Sequence, residues 1–157
     1  MNKINRIAIE HAIYIAGLFD GEGCITLSKN SRLQEKCKTP TYTLRARVRM
    51  TDENTIRWLH SVIGGRFYSA RNSSGRVRIS PNSKPYFEWG VAGVNAVDFL
   101  KQIHPYLRLK KPQAEVAFKF GKTIFSNQGQ KKIPDDIVLQ RNNLRCDMVL
   151  LNHRGLN

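Results

Sequence analysis

Ile15-Ala16-Gly17-Leu18-Phe19-Asp20-Gly21-Glu22-Gly23 is the stretch from which the rest of the chain can be read. It closes a run from Ile9 to Phe19 that is apolar nearly all round, which predicts a helix that is buried rather than surface-lying. Ala12, Ala16 and Gly17 are small, so a second helix can approach this backbone closely. Gly21 and Gly23 permit backbone conformations closed to other residues and leave space beside Glu22. A carboxylate at the C-terminal end of a helix meets an unfavourable dipole, so Glu22 calls for a compensating cation. A hard divalent ion such as Mg²⁺ supplies one. Taken alone, the string also suits an ordinary buried helix with a glycine-rich stop.

The charge lies downstream of this acidic tip. Among 157 residues, 26 Lys and Arg face 12 Asp and Glu, a net +14. Residues 1–25 sum to −1, whereas 26–80 hold twelve basic against three acidic residues, net +9, and 81–157 add +6. Such an excess fits a polyanion, either nucleic acid or an anionic membrane surface. No window approaches the ~18 uninterrupted apolar residues of a membrane span. Glu10 and His11 interrupt the run Ile7-Ala8-Ile9, so no signal peptide is expected. Cys24, Cys37 and Cys146 form no CxxC pair, and the four histidines show no zinc spacing. A disulfide framework and a structural zinc are not expected, and the compartment is expected to be reducing and intracellular. With 41% hydrophobic and 9% aromatic residues, the chain can build the core of one domain.

Thr41 to Met50 alternates with period two, Thr43, Arg45, Arg47 and Arg49 on one face and Leu44, Ala46, Val48 and Met50 on the other. A strand buried on one side and lined with arginine on the other suits a nucleic-acid surface. The bland alternative is a solvated edge, although three arginines with no interleaved carboxylate exceed what solubility requires. Residues 24–32 alternate likewise, Thr26, Ser28, Asn30 and Arg32 opposite Ile25 and Leu27, so the two segments should form a hairpin with a long basic loop. Gly65–Arg71 offers a third strand with Arg66, Tyr68 and Ala70 on one face. A turn at 72–75 leads to a short strand or arm at 76–80 carrying Arg76 and Arg78. Tyr86–Val91 is a firmer strand whose outward face the pattern leaves open. Helices are expected from Thr51 or Asp52 to Ile63 before Gly64-Gly65, from Asn95 to about His104, from Pro112 to about Ile124, and from Pro134-Asp135-Asp136 to about Asn152. A polar linker at 126–132 precedes the last.

In this setting the nine-residue string resembles the motif of the LAGLIDADG homing endonuclease family, with Ile15 for the first Leu, Phe19 for the Ile and Glu22 for the last Asp. His104-Pro-Tyr-Leu-Arg-Leu-Lys-Lys-Pro-Gln113 resembles the segment that brings that family's catalytic lysine to the cleft. The resemblance implies an α+β fold with an αββαββα core over about 9–125. A C-terminal helical extension over about 126–157 would complete one domain, 1–157. A saddle-shaped antiparallel sheet would lie in the DNA major groove, with Thr26, Ser28, Asn30, Arg32, Thr43, Arg45, Arg47, Arg49, Arg66, Tyr68, Arg76 and Arg78 facing DNA. It further implies Glu22 and the Gly21 carbonyl as ligands of Mg²⁺ (or Mn²⁺), Lys110 as the catalytic lysine, and Lys111 as a phosphate contact. Asp52 sits where the family places a solvent-positioning polar residue, and it equally suits a helix cap. Only one motif is present, which implies a homodimer packed through Ala12, Ala16, Gly17 and Asp20 on a (pseudo)palindromic target.

The implied activity is metal-dependent hydrolysis of both strands of double-stranded DNA by an intron-encoded endonuclease, with no membrane and no small-molecule substrate involved. The chain departs from the pattern at Ile56, where a basic residue is common and Arg57 stands one position late. The long interval between Gly65 and Gly93 implies an extra hairpin or an enlarged DNA-contact loop. A non-cleaving RNA-splicing maturase or DNA-binding regulator of the same fold would share this charge map. A basic ribosomal RNA-binding protein would leave the acidic glycine-rich tip unexplained.

Overall fold

Alternating and helical periodicities resolve into nine principal elements in a computed structural model that describes residues 4–30, 40–69, 85–124 and 133–153. Helix α1 (Ile9–Glu22) leads into strands β1 (Gly23–Asn30) and β2 (Thr41–Met50), then helix α2 (Glu53–Ile63). Strands β3 (Arg66–Ser69) and β4 (Phe87–Ala92) and helix α3 (Val94–Ile103) complete αββαββα. A single 3₁₀ turn (His104–Tyr106) and helices α4 (Lys111–Gly121) and α5 (Asp135–Asn152) follow. The fold is therefore α+β, five helices around one antiparallel sheet of order β1-β2-β4-β3.

Strand parity decides what the sheet buries. Ile25, Leu27, Leu44, Ala46, Val48, Phe87, Trp89 and Val91 point inward beneath α1, α2 and α3. Trp89 is fully buried, its ring 4.8 Å from that of Phe99, and its indole N–H donates to the Gly64 carbonyl at 2.7 Å. Gly64-Gly65 ends α2 with positive φ at both residues, and a Cβ at Gly65 would lie 2.8 Å from Val91 Cγ1. Arg141 of α5 is buried against Thr123, donating through Nε to the hydroxyl at 3.0 Å and through Nη2 to the carbonyl. Those bonds tie the last helix to the end of α4.

Several expectations need correction. Helix α1 ends at the acidic tip as expected, with Glu22 its last residue, but it is not buried all round: Ile9, Ile13 and Tyr14 are more than half exposed. Neither Gly21 nor Gly23 has a positive φ. Gly23 is required for another reason: a Cβ there would stand 2.4 Å from the Phe19 carbonyl. Helix α3 starts at Val94 behind Gly93, whose φ is 60°, not behind an Asn95 cap. Arg32, Arg76 and Arg78 lie outside the described residues, as do the basic loop at 31–39, the turn at 72–75, the arm at 76–80 and the linker at 126–132.

Candidate functional site

The outer face of the sheet gathers the polar half of every strand. Register places Thr26 opposite Arg45, Ser28 opposite Thr43 and Cys24 opposite Arg47. On the other side of β2, Arg47 faces Gly90 and Arg49 faces Glu88, while β3 sets Arg66 beside Gly90 and Tyr68 beside Glu88. The strands thus bring together Thr26, Ser28, Asn30, Thr43, Arg45, Arg47, Arg49, Arg66 and Tyr68. Thr43, Arg45, Arg47, Arg66 and Tyr68 line an open groove of about 700 Å³. Gly90, Ala92 and Glu88 line it as well.

Glu88 is the residue that strand reading missed. Its carboxylate accepts from Arg49 Nη2 at 2.7 Å and Nε at 2.9 Å, and lies 4.0 Å from Arg47 Nη1. The Arg49 guanidinium also sits 4.4 Å from the centroid of the Tyr86 ring. The hydrogen bond to Glu88 is the main cause of a raised Arg49 pKa. A signal was available: Phe87, Trp89 and Val91 must share the buried face, which leaves Glu88 pointing out.

At the C-terminal end of α1, Asp20 and Glu22 have different tasks. The Asp20 carboxylate accepts three consecutive backbone N–H groups, from Arg108 at 2.7 Å, Leu109 at 3.2 Å and Lys110 at 2.9 Å. Its carbonyl accepts the Lys110 ammonium at 2.5 Å. Asp20 therefore fixes the lysine segment to the helix end. Glu22 is exposed and makes no salt bridge among the described residues. The last carbonyls of a helix have no partner within it, so the Gly21 carbonyl and the Glu22 carboxylate present hard oxygen donors close together. That donor set fits a divalent ion of the Mg²⁺ type. Among the described residues no three His, Cys, Asp or Glu side chains converge.

The remaining candidates sort plainly. Asp52 is the N-cap of α2 and accepts from Thr55 N–H at 2.8 Å. That hydrogen-bonded pairing with Thr55 lowers its pKa. Arg57 pairs with Glu53 at 2.6 Å and stacks on Phe67 at 4.7 Å, so it is engaged along α2. Lys111 opens α4, immediately after Lys110. Ala12 and Ala16 were expected at a helix–helix contact between copies, but they face the chain's own core, and Ala16 has no exposed surface. The open side of α1 runs instead through Ile13, Gly17 and Gly21, four residues apart, and a Cβ at either glycine would meet nothing within 4 Å among the described residues.

No protein-family model matches the chain, and no curated relative matches it. Solved structures do. The chain is similar to the homing endonuclease I-CvuI, solved in complex with DNA, at 19% identity and a TM-score of 0.70, covering 93% of this chain and 84% of that one. It is similar to the archaeal intron-encoded homing endonuclease I-Vdi141I complexed with DNA, at 12% identity and a TM-score of 0.70 over 93% and 86%. The LAGLIDADG homing endonuclease I-GzeII, in complex with its DNA target, matches at 11% identity and a TM-score of 0.64, over 85% of this chain but only 43% of its own. With the helix–strand order, the sheet register and the acidic helix end in place, the chain has the LAGLIDADG homing endonuclease fold.

Proposed function

We propose that the chain is a site-specific endodeoxyribonuclease that, as a homodimer, cuts both strands of a (pseudo)palindromic DNA target with the help of Mg²⁺ or Mn²⁺. The observation that carries this is the pairing of Asp20 with Lys110, which holds an ammonium group two residues from the exposed Glu22. A protein that only bound DNA would need the arginine face and no such tip.

Phosphodiester hydrolysis needs a correctly placed water, relief of charge on the phosphoryl oxygens and support for the leaving oxygen. Glu22 and the Gly21 carbonyl would hold the divalent ion, which activates water and polarises the phosphate when bound. Lys110 supplies a fixed positive charge where negative charge grows in the transition state. The sheet face holds the duplex and sets register, and Lys111 adds a phosphate contact. A second copy packed along Ile13, Gly17 and Gly21 would bring two Glu22 carboxylates together. The chain spans 43% of I-GzeII, which fits one copy acting as half of a cutting unit. An intron-encoded origin and an intracellular site of action belong to the same reading.

Incubation with a randomised duplex library and Mg²⁺ or Mn²⁺ tests this. Double-strand cuts converging on one mirrored consensus, and abolished by chelation, are expected. Selective binding without cutting under either metal would instead identify a non-cleaving regulator of the same fold.

A further inference from the structure

Among the described arginines of this face, Arg49 is the one hydrogen-bonded to a neighbouring side chain, and that partner is a carboxylate that weakens attraction to DNA. Glu88 is only 23% exposed and stands among Arg47, Arg49 and Tyr68, on a face otherwise suited to phosphate. An exposed ion pair of this kind adds little to folding stability. Its geometry is more telling. Both Arg49 donors that reach Glu88, Nε and Nη2, belong to the side edge of the guanidinium, and both go to the same oxygen. The Tyr86 ring covers the guanidinium plane at 4.4 Å. The end edge, Nη1 with the second Nη2 hydrogen, is the fork that can bond bidentately to guanine O6 and N7. Side chains held before binding lose less freedom on contact, and discrimination rises because a wrong base meets a donor pair that cannot turn away.

We propose that Glu88 and Tyr86 are positioning residues for sequence readout: they aim the end edge of Arg49 at one guanine in each half-site. The proposal rests on the DNA-binding reading above and deepens it. Arg45 has no such side clamp among the described residues, and Arg47 only touches Glu88 at 4.0 Å, so Arg49 should be the sharpest reader of the row. The carboxylate makes the contact more selective while making the surface less attractive to DNA overall.

That trade-off separates the proposal from a merely structural role. Affinities of wild type, Glu88→Gln and Arg49→Ala would be measured on every single-base-pair variant of the selected target, at low and moderate salt. Wild type should prefer G·C at one pair per half-site by about fivefold or more, mirrored about the centre. Glu88→Gln, of the same shape, should lose most of that preference at that pair alone while binding about two- to tenfold more tightly at low salt, because a negative charge has left the face. Arg49→Ala should lose the preference at the same pair. The proposal is overturned if Glu88→Gln keeps every preference, or if it weakens binding uniformly across all variants. A wild type with no preference on any duplex would instead bring down the endonuclease reading itself.

Discussion

Asp20 and Lys110, ninety positions apart, are joined twice: carboxylate to backbone N–H at 2.9 Å and carbonyl to side-chain ammonium at 2.5 Å. The first bond orders the backbone of the segment and the second places its charge. Asp20→Ala should therefore release residues 108–110 and let the ammonium wander. We expect a stability loss of about 1–3 kcal/mol, from removal of a charged acceptor shared by three donors. We also expect a cleavage rate at least about a hundredfold lower on a bound target. Thermal melting and single-turnover cutting measure the two separately. A variant that cuts at the normal rate would show that Asp20 serves the fold alone.

Lys110→Met keeps the length of the side chain and removes its charge. If the ammonium acts on the transition state, the rate constant for bound DNA should collapse while Kd barely moves. An equal loss in affinity would recast Lys110 as a ground-state phosphate contact.

Gly17→Leu separates the chain's own stability from assembly. A Cβ at Gly17 meets nothing within 4 Å among the described residues, and replacing a mid-helix glycine should leave the monomer unharmed or stabilise it by about 0.5–1 kcal/mol. Between two copies packed along this side, the same leucine would force the helices apart. Sedimentation velocity should show a folded monomer that no longer cuts both strands. A leucine variant that remains dimeric would place the contact elsewhere.

What the sequence disclosed divides along physical lines. Strand β2 runs from Thr41 to Met50 as its period-two pattern requires, because one face is buried and the other solvated. The cap at Asp52 and the stop at Gly64-Gly65 were equally readable, being local chemistry. Helix α1 misled, since apolar residues on all sides name no buried face, and Ala12 and Ala16 went to the core while Gly17 stayed open. The grip of Asp20 on Arg108, Leu109 and Lys110 joins distant parts of the chain and leaves no periodic trace. The arginine face was legible, and its internal brake at Glu88 follows only once Phe87, Trp89 and Val91 are assigned to the buried face.

Asp52 gives a test in pH. Its carboxyl is held below the usual carboxylate range, chiefly by hydrogen bonding with Thr55. A lowered folded-state pKa means the cap contributes fully above the unfolded value, about 3.9, and is lost as pH falls through the folded value. The stability difference between wild type and Asp52→Ala should therefore be constant around neutrality and shrink below about pH 4. A difference of the same size at pH 3 and pH 7 would contradict the capping role. Cleavage by Asp52→Asn, which can still cap, would show whether the residue also orders solvent.

If Glu22 is the metal-holding carboxylate of a cutting site, Glu22→Gln should remove cutting and spare binding. The substitution preserves shape, removes the charge that a divalent ion needs, and leaves the sheet face untouched. On the selected target with Mg²⁺, the variant should bind with nearly the wild-type Kd and produce no detectable double-strand cut. Full cleavage by Glu22→Gln would contradict the account, because the reaction would then be carried out elsewhere in the molecule.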